Sequence, residues 1–340
     1  MRENDMHEAR LYTRHEGVIQ CELCAHECKI RDGKRGLCNV RENRGGKLYT
    51  LVYGKLIAEH VDPIEKKPLF HVFPGSTSYS IATRGCNFHC RHCQNSSISQ
   101  VAMGDDPTRF CLTRSPQEVV DAALKAECKT ISYTYVEPTI FFEFAYDCCQ
   151  LAADNGIYNV FVSNGYMTGR TARVIAPFLT AINIDIKSFR DEFYRKVCGA
   201  RLQPVLDTVK LMRELGVWVE VTTLVIPDYN DSVDELNDIA KFLVEVDATI
   251  PWHVTAFSPS YKMLEEKHTP KRTLLKAQEI GFEAGLQQVY VGNILSKGGE
   301  DTICPSCGTV VVSRLGFSIQ GKSMIDGRCL ECSAVIPGVW

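Results

Sequence analysis

Long apolar runs are missing from this sequence. No stretch of about 18 consecutive apolar residues occurs, so no membrane-spanning helix is expected. The opening residues, MRENDMHEARLYTRHEG, contain no apolar core of the kind a secretory signal requires. An excess of positive charge is missing too. Lys and Arg number 38 against 41 Asp and Glu, for a net charge of −3, and nucleic-acid partners usually demand a basic footprint. Low-complexity tracts and long-period repeats are also absent. What remains is an ordinary globular composition of 340 residues, 45% hydrophobic and 23% charged, with room for one large domain and appendages. The expected location is the cytoplasm, with no membrane partner and nucleic acid disfavoured.

Cysteine, by contrast, is abundant, at 16 residues. In a reducing compartment these read as ligands or buried thiols before disulfides. Eleven fall in three tight groups: Cys21, Cys24, Cys28 and Cys38; Cys86, Cys90 and Cys93; Cys304, Cys307, Cys329 and Cys332. Cys111, Cys128, Cys148, Cys149 and Cys198 are scattered and read as small buried hydrophobes.

The middle of the chain alternates β-rich runs with amphipathic stretches. Strands are predicted at Ser78–Ala82, Thr130–Tyr135, Tyr158–Val162, Ala181–Ile186, Trp218–Ile226, Trp252–Phe257 and Gln288–Gly292. Between them lie helical patterns such as PQEVVDAALKAE, TIFFEFAYDCCQLAADN, LQPVLDTVKLMREL, SVDELNDIAKFLVEV and TLLKAQEIGFEAG. This rhythm predicts an α/β fold, a partial (β/α)6-type TIM barrel, whose chemistry sits at the C-terminal ends of the strands. The flanking segments lack the rhythm, and each carries a cysteine quartet. They are expected to be small Cys-rich appendages stapled by metal. The expected division is 1–75, a metal-binding region; 76–296, the barrel; and 297–340, a zinc-ribbon or rubredoxin-like region.

The central triplet, RGCNFHCRHCQN, has the spacing C-x3-C-x2-C directly after the first barrel strand. Three thiolates so spaced can wrap one corner of an iron–sulfur cubane and leave its fourth iron open. The competing reading is a zinc site completed by His89 or His92. The C-terminal quartet consists of two C-x2-C knuckles about twenty residues apart, a zinc-ribbon signature, with a mononuclear iron as second choice. The N-terminal quartet, C-x2-C-x3-C-x9-C, does not match the ferredoxin run. Zinc is slightly ahead of an auxiliary cluster there, and His26 could compete as a ligand.

The triplet and the Gln94–Asn95 pair after it resemble the radical S-adenosylmethionine (SAM) superfamily, and most of all the pyruvate formate-lyase activating branch. CELCAHECKIRDGKRGLCNVREN, VDPIEKKPLFHVFPGS, YTYVEPTIFFE, NIDIKSF and GGEDTICPSCG extend the resemblance to AmmeMemoRadiSam-type proteins over nearly the whole chain. That resemblance implies a [4Fe-4S] cluster on Cys86, Cys90 and Cys93, with SAM on its open iron. It implies His92 near the adenine and Glu137 facing the SAM amino group. Ser163 and Asn164 approach the ribose or methionine, while Asp185 and Lys187 serve as a SAM contact or an ion pair at the barrel mouth. His253 resembles a histidine that reaches the SAM site, weighed against a core histidine. Partners implied are an electron donor such as flavodoxin or ferredoxin, AmmeMemo-type proteins, and an unidentified substrate, either a small molecule or a glycyl-radical protein. A non-enzymatic zinc or iron–sulfur binding module is the alternative class.

Overall fold

The computed structural model describes residues 6–294, 296 and 298–340; position 297, the expected start of the C-terminal region, lies outside the described residues. Its central sheet has eight strands. The first, β1 (Ala58–Pro63), pairs antiparallel with β2 (Thr77–Ala82), setting Asp62 opposite Ser78. Six more strands then add in chain order and in parallel: β3 (Thr130–Tyr133), β4 (Tyr158–Ser163), β5 (Ala181–Asp185), β6 (Trp218–Val225), β7 (Trp252–Ala256) and β8 (Val289–Gly292). Parallel strands covered on both faces read as continuous apolar runs, and β3 is buried at every position.

Crossover helices α1 (Pro116–Lys125), α2 (Phe142–Asp154), α3 (Gly169–Ile175), α4 (Gln203–Glu214), α5 (Val233–Asp247) and α6 (Lys271–Ala284) connect the strands. The start of α1 is set locally. Ser115 caps the Glu118 amide, the Glu118 carboxylate reaches back to the Ser115 amide, and Pro116 occupies the first turn. The expected partial barrel is therefore present, with one difference. β1 falls inside the stretch assigned to the N-terminal appendage, yet it belongs to the central sheet. Its mostly half-buried or exposed residues give no crossover rhythm from which that pairing could be read.

Residues 64–73 turn under the barrel and close its floor. There Glu220 of β6 accepts from the amides of Phe70 (3.0 Å) and His71 (2.8 Å), from Trp218 Nε1 (3.1 Å) and from His253 Nε2 (2.6 Å). The C-terminal hairpin β9 (Val310–Leu315) and β10 (Ser318–Lys322) docks on this floor. Buried Arg314 donates to the carbonyls of Phe70 (2.7 Å) and Glu300 (3.0 Å) and lies 4.4 Å over the Phe70 ring. His71 links both parts, with Nδ1 on the Pro337 carbonyl and Nε2 on the Tyr290 hydroxyl. Burial lowers its pKa to about 4, so the ring is neutral at physiological pH. On the other flank, buried Arg41 makes a two-pronged ion pair with Glu143 of α2 (2.8 and 3.0 Å), tying the N-terminal region to the barrel.

Candidate functional site

A cleft of about 1650 Å³, partly open to solvent, occupies the barrel interior and its C-terminal mouth. Cys86, Cys90 and Cys93 line it together with His92, Glu137, Ser163, Asn164, Asp185 and Lys187. The structure thus gathers residues from the ends of β2, β3, β4 and β5 around one space.

The loop bearing the triplet is held by its backbone. The His89 amide donates to the Cys198 carbonyl (2.8 Å) and the Arg91 amide to the Val197 carbonyl (3.0 Å). The Lys262 amide donates to Arg91 O (2.9 Å), and Ser260 Oγ to His92 O (3.0 Å). Such fixing leaves the side chains free to face the cleft. The thiol of Cys86 is pushed up in pKa by burial and by the nearby Glu137 carboxylate. Cys90 is pushed up by its hydrogen bond with Cys198 and by burial. Coordination by a metal, which deprotonates a thiol outright, reverses that bias.

Glu137 is buried, which raises its pKa, while its hydrogen bonds oppose that shift. It accepts from the Thr139 amide (3.0 Å) and hydroxyl (2.5 Å), from Ser163 Oγ (2.9 Å) and from the Asn164 amide (2.7 Å). The side chain of Asn164 donates in turn to Asn87 Oδ1 (2.7 Å). Lys187 pairs with Asp185 at 2.9 Å. Burial alone would lower the Lys187 pKa, but Asp185 and the neighbouring Cys90 and Cys198 outweigh it and leave it raised. His92 is held neutral, with a pKa of about 3, by burial and by Lys187, and its buried Nδ1 has no hydrogen-bond partner among the described residues. An orphaned ring nitrogen beside three soft thiols and a buried carboxylate fits a cleft made to receive a polar ligand next to a cluster.

His253 departs from expectation. It is the second residue of β7, at the N-terminal end, and is buried against Glu220, Phe70 and Tyr290 in the floor. The residue of β7 that lines the cleft is Thr255, two positions nearer the mouth. His253 is therefore a core histidine.

Three features were not foreseen. Cys198, read as a scattered thiol, sits against Cys90 on the segment that clamps the triplet loop. Lys67, buried in the cleft, donates to Asp62 Oδ2 (2.6 Å), and Tyr135 also bonds that carboxylate. Burial lowers the Lys67 pKa to about 8 despite Asp62. The third is Phe317, at the hairpin turn of the C-terminal region, which lines the same cleft. A pair of lysines inside an apolar stretch, IEKKPLF, was the available signal for Lys67.

The C-terminal quartet is contracted. Sγ atoms of Cys304 and Cys332 lie 3.6 Å apart, those of Cys307 and Cys329 3.7 Å, and all four fall within 4.8 Å of one another. A metal–sulfur bond of about 2.3 Å places tetrahedral sulfurs about 3.8 Å apart, so this site fits one tetrahedral ion. A Cys304→Ala variant is expected to lose one metal equivalent by elemental analysis while keeping its iron–sulfur absorbance. A folded variant that lost that absorbance as well would contradict a structural role for this site.

Comparisons with known proteins agree with this geometry. The family model for the radical SAM superfamily matches residues 80–243. An uncharacterized protein of Methanocaldococcus jannaschii is 44% identical, covering 97% of this chain and 99% of its own. The pyruvate formate-lyase 1-activating enzyme of Escherichia coli K12 is 23% identical over 61% of this chain and 89% of its own. Among solved structures, a radical SAM methyltransferase of Sphaerobacter thermophilus shares the fold with a TM-score of 0.51 at 12% identity, covering 65% of this chain and 67% of that one. The peptide-bound SuiB of Streptococcus suis also reaches 0.51, covering 68% of this chain and 51% of that one.

Proposed function

Because this chain belongs to the radical SAM superfamily, and so is an enzyme, we propose that it reductively cleaves SAM at a [4Fe-4S] cluster held by Cys86, Cys90 and Cys93 and abstracts hydrogen from an organic substrate in the cleft. The observation that carries this reading is the convergence of the three thiols with Glu137, Ser163, Asn164, Asp185 and Lys187 on one cleft. A [4Fe-4S] cluster on Cys86, Cys90 and Cys93 would supply the electron for reductive cleavage of a carbon–sulfur bond of SAM bound beside it.

The chain's own residues do the positioning. Glu137 and the Asn164 amide brace the ends of β3 and β4 against each other, and the carboxylate faces the cleft where it can accept from an ammonium. The Asp185–Lys187 pair presents opposite charges to an amino-acid moiety. His92 remains neutral and offers its free Nδ1. Lys67 and Tyr135 line the cleft from the side of β1 and meet there on Asp62, so a substrate entering the barrel interior meets an ammonium there. The electron comes from a flavodoxin- or ferredoxin-type donor, and AmmeMemo-type proteins are the expected partners. The C-terminal quartet holds zinc, and the enzyme works in the cytoplasm.

Relatives named as pyruvate formate-lyase activating enzymes favour a second reading of the substrate, in which the hydrogen comes from a glycyl-radical protein. The depth of the cleft, which reaches Lys67, favours a small molecule. Anaerobic reconstitution with iron and sulfide, followed by SAM and a one-electron reductant, is expected to give methionine and 5′-deoxyadenosine in equal amounts. A cluster-loaded protein that binds SAM and never forms 5′-deoxyadenosine would end this reading. Transfer of deuterium from a labelled candidate into 5′-deoxyadenosine then identifies the substrate.

A further inference from the structure

We infer that the N-terminal quartet, Cys21, Cys24, Cys28 and Cys38, holds a second [4Fe-4S] cluster and not a single zinc ion. The three thiol groups of this chain calibrate one another. The C-terminal quartet is drawn in to single-ion dimensions, and among the described residues it is the one group of three or more potential ligands whose atoms all lie within 4.8 Å. Neither the central triplet nor the N-terminal quartet is drawn in this way. Yet all four N-terminal cysteines line one small, partly open cavity. Thiols that share a cavity without closing on its centre suit a polynuclear group, whose iron atoms carry each thiolate outward from the middle.

The cavity wall carries a second signature. Arg41 and Asn87 both line it, and both are buried. Arg41 Nε and Asn87 Nδ2 are buried donors with no hydrogen-bond partner among the described residues. An unpaired buried N–H is costly. Metal-bound thiolates accept N–H hydrogen bonds, and the sulfides of a cluster add further acceptors, hydrogen bonds to cluster sulfurs being a recognised means of setting its potential. His26 also lines the cavity, with its Nε2 on the Asn87 carbonyl at 2.8 Å and its Nδ1 left open.

The two thiol sites share a wall. Asn87 follows Cys86 in the chain, and its side chain accepts from Asn164 on the cleft side. Gly85, with φ of +103°, is packed so closely on the N-terminal region that a Cβ would lie 2.6 Å from Val40 Cγ1 and 3.1 Å from the Cys38 carbonyl. Only a residue without a side chain fits that approach.

The test rests on acid-labile sulfide, which neither zinc nor a rubredoxin-type iron contains. Reconstituted wild-type protein is expected to hold eight sulfides per chain. The Cys86→Ala/Cys90→Ala/Cys93→Ala protein is expected to keep four, with a cubane electron paramagnetic resonance signal after reduction. Complete loss of sulfide from that variant, while the C-terminal metal is retained, overturns the proposal. Should the triple variant fail to fold, Cys24→Ser/Cys38→Ser supplies the same answer. Sulfide falls from eight to four if the proposal holds, and zinc falls by one equivalent with sulfide unchanged if it does not. The failures of the two readings are distinguishable. Four sulfides that vanish with the triplet sink the second cluster alone, whereas four that survive the triplet but vanish in Cys24→Ser/Cys38→Ser sink the cleft cluster alone.

Discussion

Cys90→Ala should reduce 5′-deoxyadenosine formation to the level of a control without protein, a larger effect than any other single substitution in the cleft. The triplet has no spare ligand. With three thiolates a cubane keeps one iron open for SAM, whereas with two it loses a corner and becomes labile. Cys90 is also the most buried of the three, so water is a poor substitute ligand at its position. A neighbouring thiol, Cys198, packs against it from the clamping segment. If the variant retains a residual cluster, Cys90→Ala/Cys198→Ala should remove it, and absorbance near the thiolate-to-iron charge-transfer bands reports the difference. Full product formation by the double variant would exclude the triplet as the seat of SAM cleavage.

The second large effect is on stability. Glu220→Ala removes the acceptor shared by the Phe70 and His71 amides, Trp218 Nε1 and His253 Nε2. All four donors are buried with it, and removing one partner of a buried charged network costs about 3–5 kcal/mol. A fall in Tm on the order of 10 °C is expected, read by scanning calorimetry. The floor is remote from the strand ends, so iron–sulfur absorbance at low temperature should be unchanged. A shift of no more than about a degree would mean that the floor contributes little to holding the barrel.

Much of this was legible beforehand, for physical reasons that also explain the misses. The parallel strands from β2 to β8 are separated by amphipathic stretches, so periodicity finds them. β1 pairs antiparallel at an edge, consists mostly of half-buried or exposed residues, and carries no such signal. Glu137, Asp185 and Lys187 lie at or just beyond strand ends, where the barrel rule directs attention, and all line the cleft. His253 breaks that rule. It is the second residue of its strand, and about 3.3 Å of rise per residue keeps it roughly 10 Å below the mouth. Cys198 and Asn87 were invisible because their roles depend on contacts across the fold. Cys198 reaches Cys90 from 108 residues away in sequence.

The clamp on the triplet loop bears on the order of assembly. The loop follows the first parallel strand, but its backbone partners are Val197, Cys198, Ser260 and Lys262. Contacts across such separations form late, because loop closure must come before they add stability. The triplet loop is therefore expected to take its working shape only once the strands through β7 are in place. Metal delivery to a cluster on this loop would then complete a folded barrel, in contrast to small zinc modules where the ion itself drives folding.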